Sequence, residues 1–208
     1  MGVTERCCWH GDWQKSDETV SIVSKSNVSR ASRGKVGGKG STEPCACCGI
    51  AADPRGRPFS IVFEQPDVVS QIEPELLDTW GSDPFLVIKN VDFFVRVILP
   101  VQLTDGFSVA FGTWLEVMDE DFREAWKTWN APEYTGLVMN GYVANEIEPW
   151  NPFPHAMVRA AVRDVEQVPY ITSSDDPLFA RILGETLPHA DVLTHYAKLL
   201  KSDPQLEN

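Results

Sequence analysis

Beyond residue 48 the chain has no cysteine. All five, Cys7, Cys8, Cys45, Cys47 and Cys48, fall in its first quarter. An odd number confined to one end argues against a disulfide framework and fits a reducing compartment. Long apolar runs are missing too. The most apolar stretch, FFVRVILPV (residues 93–101), is interrupted by Arg96 and Pro100, and it falls short of the roughly 18 to 20 residues that a membrane-spanning helix needs. The opening MGVTERCCWHGDW lacks the basic-then-apolar order of a secretory leader, and Arg6 stands where a myristoylation signal requires Ser or Thr. A cytoplasmic protein without a membrane anchor is the simplest expectation. Aromatic residues are absent from residues 20–43, a Ser-, Gly- and Lys/Arg-rich stretch with no period of 2 or 3.6. Such a segment cannot bury enough apolar surface to offset its ordering entropy. Residues 1–44 are therefore expected to form a flexible, disordered tail.

What remains, residues 45–208, is expected to be a single α+β domain. The chain is 208 residues long and 43% hydrophobic, which is enough for one sizeable core. Charge divides at the same boundary. Residues 1–50 carry seven Lys/Arg against five Asp/Glu, a net of +2, and residues 51–208 carry 11 against 25, a net of −14. An acidic body repels phosphate backbones over a Debye length of about 8 Å, so duplex nucleic acid is excluded as a natural partner. A basic protein or cationic ligand would be steered toward it.

Alternation begins after Arg57. PFSIVFE (58–64) reads as a strand, and PELLDTW (74–80) as a short helix with proline in its first turn. FLVIKNVDFFVRVILPVQL (85–103) reads as two strands about a turn at Lys89-Asn90, and GFSVAFGTWLEV (106–117) as a third. Phe122, Ala125, Trp126 and Trp129 then recur at helical spacing behind Asp119, Glu120 and Asp121, whose charges suit a helix N-terminus. Asn130 and Pro132 supply a stop. Two further strands, AMVRAAVRDV and VPYIT, precede a helix opened by Asp176 and Pro177 with an apolar face from Leu178 and Ile182. A last helix runs over about 188–201, with Val192, Tyr196 and Leu199 or Leu200 on one side. The order predicts an antiparallel meander sheet packed by one central and two C-terminal helices.

The stretch with most chemistry is CACCG (45–49). Cys45 and Cys48 have the C-x-x-C spacing with which two thiolates grip one tetrahedral Zn²⁺, and Gly49 permits the positive φ of such a knuckle. No second C-x-x-C exists. Further ligands would come from Cys47, Cys7, Cys8 or His10, the last three across a long loop whose closure entropy a metal can offset. A redox motif fits less well, because the following residues run into Gly and Pro and do not open a helix; plain loop cysteines are the third reading. His189 and His195 are six residues apart, on different faces of a helix, so each reads as an ordinary surface or structural histidine, as does His155. GKVGGKGST (34–42) fails the phosphate-loop spacing, and no G-x-S-x-G elbow occurs. No catalytic residue is assigned, and the balance lies against an enzyme.

CACCG, DFFVRVILPV, FGTWLEVMDEDFREAWKTW and VEQVPYITSSDDPL together resemble the bacterial domain-of-unknown-function family 2199, over about residues 45–183. The resemblance implies one compact α+β domain and brings no activity. It also implies histidines shortly after the knuckle and before the Pro-Leu of the late turn, where this chain has Ala52 and Asp176. Three functions stay open on the residues: a protein-binding module using an acidic surface, in the manner of a small protein that neutralises a basic effector; a metal-dependent or small-molecule enzyme with a pocket on the sheet near Trp114 and His155; and a zinc-stabilised structural module.

Overall fold

Residues 43–53, 55–150 and 156–201 are described by the computed structural model, and they belong to one compact unit. The tail expected over residues 1–44 lies outside them except for Glu43 and Pro44. Cys7, Cys8, His10 and His155 lie outside them as well.

Nine strands and three helices occur among the described residues: β1 Phe59–Val62, β2 Thr79–Ser82, β3 Phe85–Ile88, β4 Asp92–Leu103, β5 Ser108–Val117, α1 Asp119–Thr128, β6 Val138–Val143, β7 Met157–Ala161, β8 Tyr170–Ser174, α2 Pro177–Gly184, β9 Thr186–Leu187 and α3 His189–Lys201. The long hairpin of β4 and β5 is the spine. Val95, Val97, Leu99 and Val101 stand opposite Leu115, Thr113, Phe111 and Val109. Residues directly opposed in an antiparallel pair share a face, so one face of the hairpin is almost wholly apolar, and all of these residues are buried. The turn before β4 lies at Lys89-Asn90, as expected, with Asn90 in the left-handed region at φ 61°.

The expected open meander is corrected by the way the sheet closes. β5, β6, β7 and β8 follow one another in antiparallel register, and β8 then pairs with β4 through Ile98 and Tyr170. With β4–β5 already paired, the five strands form a closed barrel. Its closing pair is parallel, which follows from the count: the first and fifth strands of an up-and-down run point the same way. Val143, Val158, Ala160 and Ile171 join the hairpin face in the interior, filling it with side chains as a barrel of this size requires. β1 and β9 add parallel edges to β5 and β4, and β3 and β2 extend the sheet beyond β4.

PELLDTW does not form the expected helix. Only Pro74–Leu76 makes a single 3₁₀ turn, and Thr79 and Trp80 pair with Ile88 and Val87 as β2. Seven residues are too few to offset helix nucleation, and Thr and Trp favour strands. α1 does follow its stripe. Phe122, Ala125, Trp126 and Trp129 pack on the core, where Phe85 meets Phe122, Trp126 and Trp129 edge-on at 5.3 to 5.7 Å. α2 opens as expected, with Asp176 accepting a hydrogen bond from the Phe179 amide at 2.9 Å. Its buried face is Phe179 and Ile182, while Leu178 is exposed. α3 buries Val192, Leu193 and Leu200, and leaves Leu199 outside.

Behind β5, Asn145 joins three segments. Its Oδ1 accepts from the Thr113 hydroxyl and the Trp114 amide, and its Nδ2 donates to the Gln65 carbonyl and to Asp67. Trp114 lies buried under the Arg96 guanidinium, 4.4 Å from its ring centroid, and donates its indole N–H to the Phe63 carbonyl. It is therefore a packing residue; His155, the other residue expected near an enzyme site there, lies outside the described residues. No helix among the described residues is long and apolar enough to cross a membrane.

Candidate metal centre

The CACCG stretch forms a tight knuckle. Gly49 N–H donates to the Cys45 carbonyl at 2.7 Å, and Cys45 N–H donates to the Ile50 carbonyl at 2.9 Å. Gly49 has φ 67°, a conformation that glycine adopts without steric cost. Inside the turn, Cys47 N–H points at the Cys45 sulfur at 3.4 Å. The knuckle is anchored because its exit is apolar: Cys48, Ile50 and Ala52 are buried in the main core.

The barrel brings one more residue to this knuckle. β9 pairs with the end of β4, Gln102 with Thr186 and Leu103 with Leu187. This register sets the first residue of α3, His189, beside the Thr104–Gly106 turn that leaves β4. Thr104 Oγ1 accepts from the His189 amide at 3.2 Å, satisfying one of the open N–H groups of the helix start. Phe107 stacks on the imidazole at 4.7 Å and 16°, and Phe59 stacks on Phe107 at 6.2 Å. His189 is 7% exposed, so its ring is almost wholly enclosed.

The imidazole Nε2 faces the cysteines, 3.2 Å from Cys45 Sγ and 3.1 Å from Cys47 Sγ, and these two sulfurs are 2.7 Å apart. With Cys48 Sγ included, the four ligand-type atoms all lie within 4.8 Å of one another. Zn–S bonds of about 2.3 Å and Zn–N bonds of about 2.0 Å imply tetrahedral edges of about 3.5 to 3.8 Å. Adjustments of about an ångström would fit such an ion among these atoms. Three sulfurs and one imidazole are a donor set of the borderline-soft kind that Zn²⁺ takes in closed structural sites. A cleft of about 240 Å³, lined by Cys45, His189, Asp105 and Ala52 among others, gives an entry path.

The sulfurs share protons unequally. The Cys45 thiol is lowered from 9.0 to about 6, chiefly by the hydrogen bond from Cys47, then by His189 and the backbone amides of Cys47 and Cys48. The Cys47 thiol is pushed up to about 11, because its proton is held by the Cys45 sulfur. One ready thiolate at neutral pH is what a metal ion needs to begin binding.

The expected pair Cys45 and Cys48 thus stands in one cluster, and Cys47, expected only as an accessory, stands with them. His189, read from its spacing as an ordinary histidine, joins the cluster, while His195 lies elsewhere with Nδ1 3.9 Å from Glu148. The absence of a histidine close in sequence to the knuckle was therefore no obstacle. Ala52 is buried beside the cleft and Asp176 caps α2, so neither contributes a ligand atom. The only sequence mark of His189 is its place after Pro188 at a helix start; no spacing rule links it to residue 45.

Fold and site together define a small α+β barrel domain with a Cys₃His cluster that could hold a metal ion. The chain belongs to the bacterial family described as "Uncharacterized protein conserved in bacteria (DUF2199)", whose model matches residues 44–181. The three cysteines lie inside the matched stretch and His189 lies beyond it. No curated protein and no solved structure matches the chain.

Proposed function

We propose that this domain is a zinc-stabilised module in which one Zn²⁺, bound by Cys45, Cys47, Cys48 and His189, fastens the N-terminal knuckle to the start of α3. The observation that carries the reading is the convergence of four ligand-type atoms within 4.8 Å from two segments that only the fold brings together. All four positions of a tetrahedral ion are then taken by protein, the arrangement of a structural rather than a catalytic site. The ion would supply cross-linking and charge neutralisation. Metal analysis of protein purified without chelator tests this: one Zn per chain is expected, falling to near zero in Cys48→Ala. Wild-type protein with well under one tenth of an equivalent, before and after incubation with Zn²⁺, would exclude it.

The charge of the body favours a second reading alongside the first. A net of −14 over residues 51–208 supports association with a basic protein, steered by long-range attraction. Binding to such a partner should weaken severalfold between 50 and 300 mM salt, to be read by titration calorimetry. Affinity that is indifferent to salt would count against it.

A further inference from the structure

The two ring nitrogens of His189 face chemically different surroundings. Nε2 faces the sulfurs of Cys45 and Cys47. Nδ1 faces oxygen only: it is hydrogen-bonded to Thr104 Oγ1 at 2.9 Å and lies at ion-pair distance, 3.1 Å, from Asp105 Oδ2. A neutral imidazole carries one proton, and the nitrogen without it is the one able to bind a metal. Whichever group fixes the proton on Nδ1 therefore decides whether the lone pair of Nε2 is offered to the cysteine cluster.

We propose that Asp105 is the positioning residue that makes this choice: its carboxylate, 3.1 Å from His189 Nδ1, favours the proton on that nitrogen by charge and so presents Nε2 to the metal. The inference rests on the zinc reading above and deepens it. Thr104 cannot decide alone, since a hydroxyl both donates and accepts and would serve either tautomer. It is also engaged by the His189 amide. An ionised carboxylate only accepts. It therefore favours the Nδ1–H form, and it makes the imidazole a stronger ligand.

The backbone at residue 105 supports the same assignment. Asp105 has φ 59° and its side chain is 72% exposed. Glycine and asparagine meet that left-handed conformation as well as aspartate does. What aspartate has and they lack is the negative charge, and that charge lies against His189. Phe107 holds the ring plane by stacking, so the position of the proton is the remaining variable.

The test uses the full chain with Zn²⁺ as the probe. Zinc affinity is measured by competition with a chromophoric chelator for wild type, Asp105→Asn and Asp105→Gly, and ¹⁵N–¹H spectra of the His189 ring are recorded in the metal-free wild type. Asp105→Asn keeps shape and backbone preference but offers both a donor and an acceptor. It is expected to bind zinc 10- to 100-fold more weakly, the usual loss when a histidine ligand's outer partner is removed, with unchanged circular dichroism. The ring spectrum is expected to show the proton on Nδ1. Affinity within twofold of wild type in Asp105→Asn, or a ring proton on Nε2, would overturn the proposal while leaving zinc binding intact. Failure of the wild type to bind zinc would overturn the zinc reading itself and this proposal with it. Should Asp105→Asn not fold, the wild-type ring spectrum decides alone.

Discussion

Cys45 Sγ lies 3.2 Å from His189 Nε2, although 144 residues separate them in the chain. Between the two lie the β1 edge, the whole five-strand barrel and two of the three helices. A metal ion joining them closes a loop that long. In the chain-entropy model a cross-link of this span contributes about 5 kcal/mol by constraining the unfolded state.

Removal of the metal is accordingly expected to lower the thermal midpoint by about 10 °C or more, at about 2 to 4 °C per kcal/mol for a domain of this size. Differential scanning calorimetry with and without a strong chelator measures it, and re-addition of Zn²⁺ should restore the original midpoint. A chelator shift of less than about 2 °C would show that the cluster does not cross-link the fold.

The unequal sharing of protons in the knuckle predicts its chemistry once the metal is stripped. Cys45 is lowered to about 6 and Cys47 raised to about 11. Acidification through pH 6 protonates the Cys45 sulfur, and above that it is anionic. Alkylation by iodoacetamide, mapped by peptide mass spectrometry, should modify Cys45 ahead of Cys47 at pH 7, and the Cys45 rate should fall about tenfold from pH 7 to pH 5, following the thiolate fraction. Equal rates at the two sites would contradict the hydrogen-bond assignment.

Asn145→Ala should cost about 2 to 4 kcal/mol in urea unfolding. It strips partners from the buried Thr113 hydroxyl and Trp114 amide and from Asp67, and buried polar groups left unsatisfied cost about 1 to 3 kcal/mol each. A loss below about 1 kcal/mol would show that water replaces the amide.

Tyr134 is the reverse case. Its ring is fully buried, its hydroxyl is without a hydrogen-bond partner, and burial pushes its ionisation well above the ordinary value. Tyr134→Phe should be neutral or stabilise by up to about 1 kcal/mol. Destabilisation beyond that range in the same urea experiment would reveal a partner for the hydroxyl.

The parts of this fold that were legible in the sequence are those with a local cause. Alternation through Val95, Val97, Leu99 and Val101 gave a strand with one buried face, the spacing of Phe122, Ala125 and Trp126 gave α1, and Asp176-Pro177 gave the start of α2. The closure of the barrel had no such cause to read. It depends on Ile98 meeting Tyr170, and β6 hides a glycine at Gly141 where the Glu116 carbonyl leaves no room for a side chain. The candidate site divides the same way. Cys45, Cys47, Cys48 and the positive φ of Gly49 belong to one short turn and could be read together. His189 arrives through the pairing of β9 with β4, and a helical spacing test against His195 was the wrong comparison for a ligand that sits at a helix start.

X-ray absorption at the zinc edge of the purified full chain tests the central claim most directly. A shell of three sulfurs at about 2.3 Å and one nitrogen at about 2.0 Å is expected, changing to three sulfurs and one oxygen or nitrogen from solvent in His189→Ala. A wild-type shell with two or fewer sulfurs, or one unchanged by His189→Ala, would contradict a Cys45, Cys47, Cys48 and His189 centre.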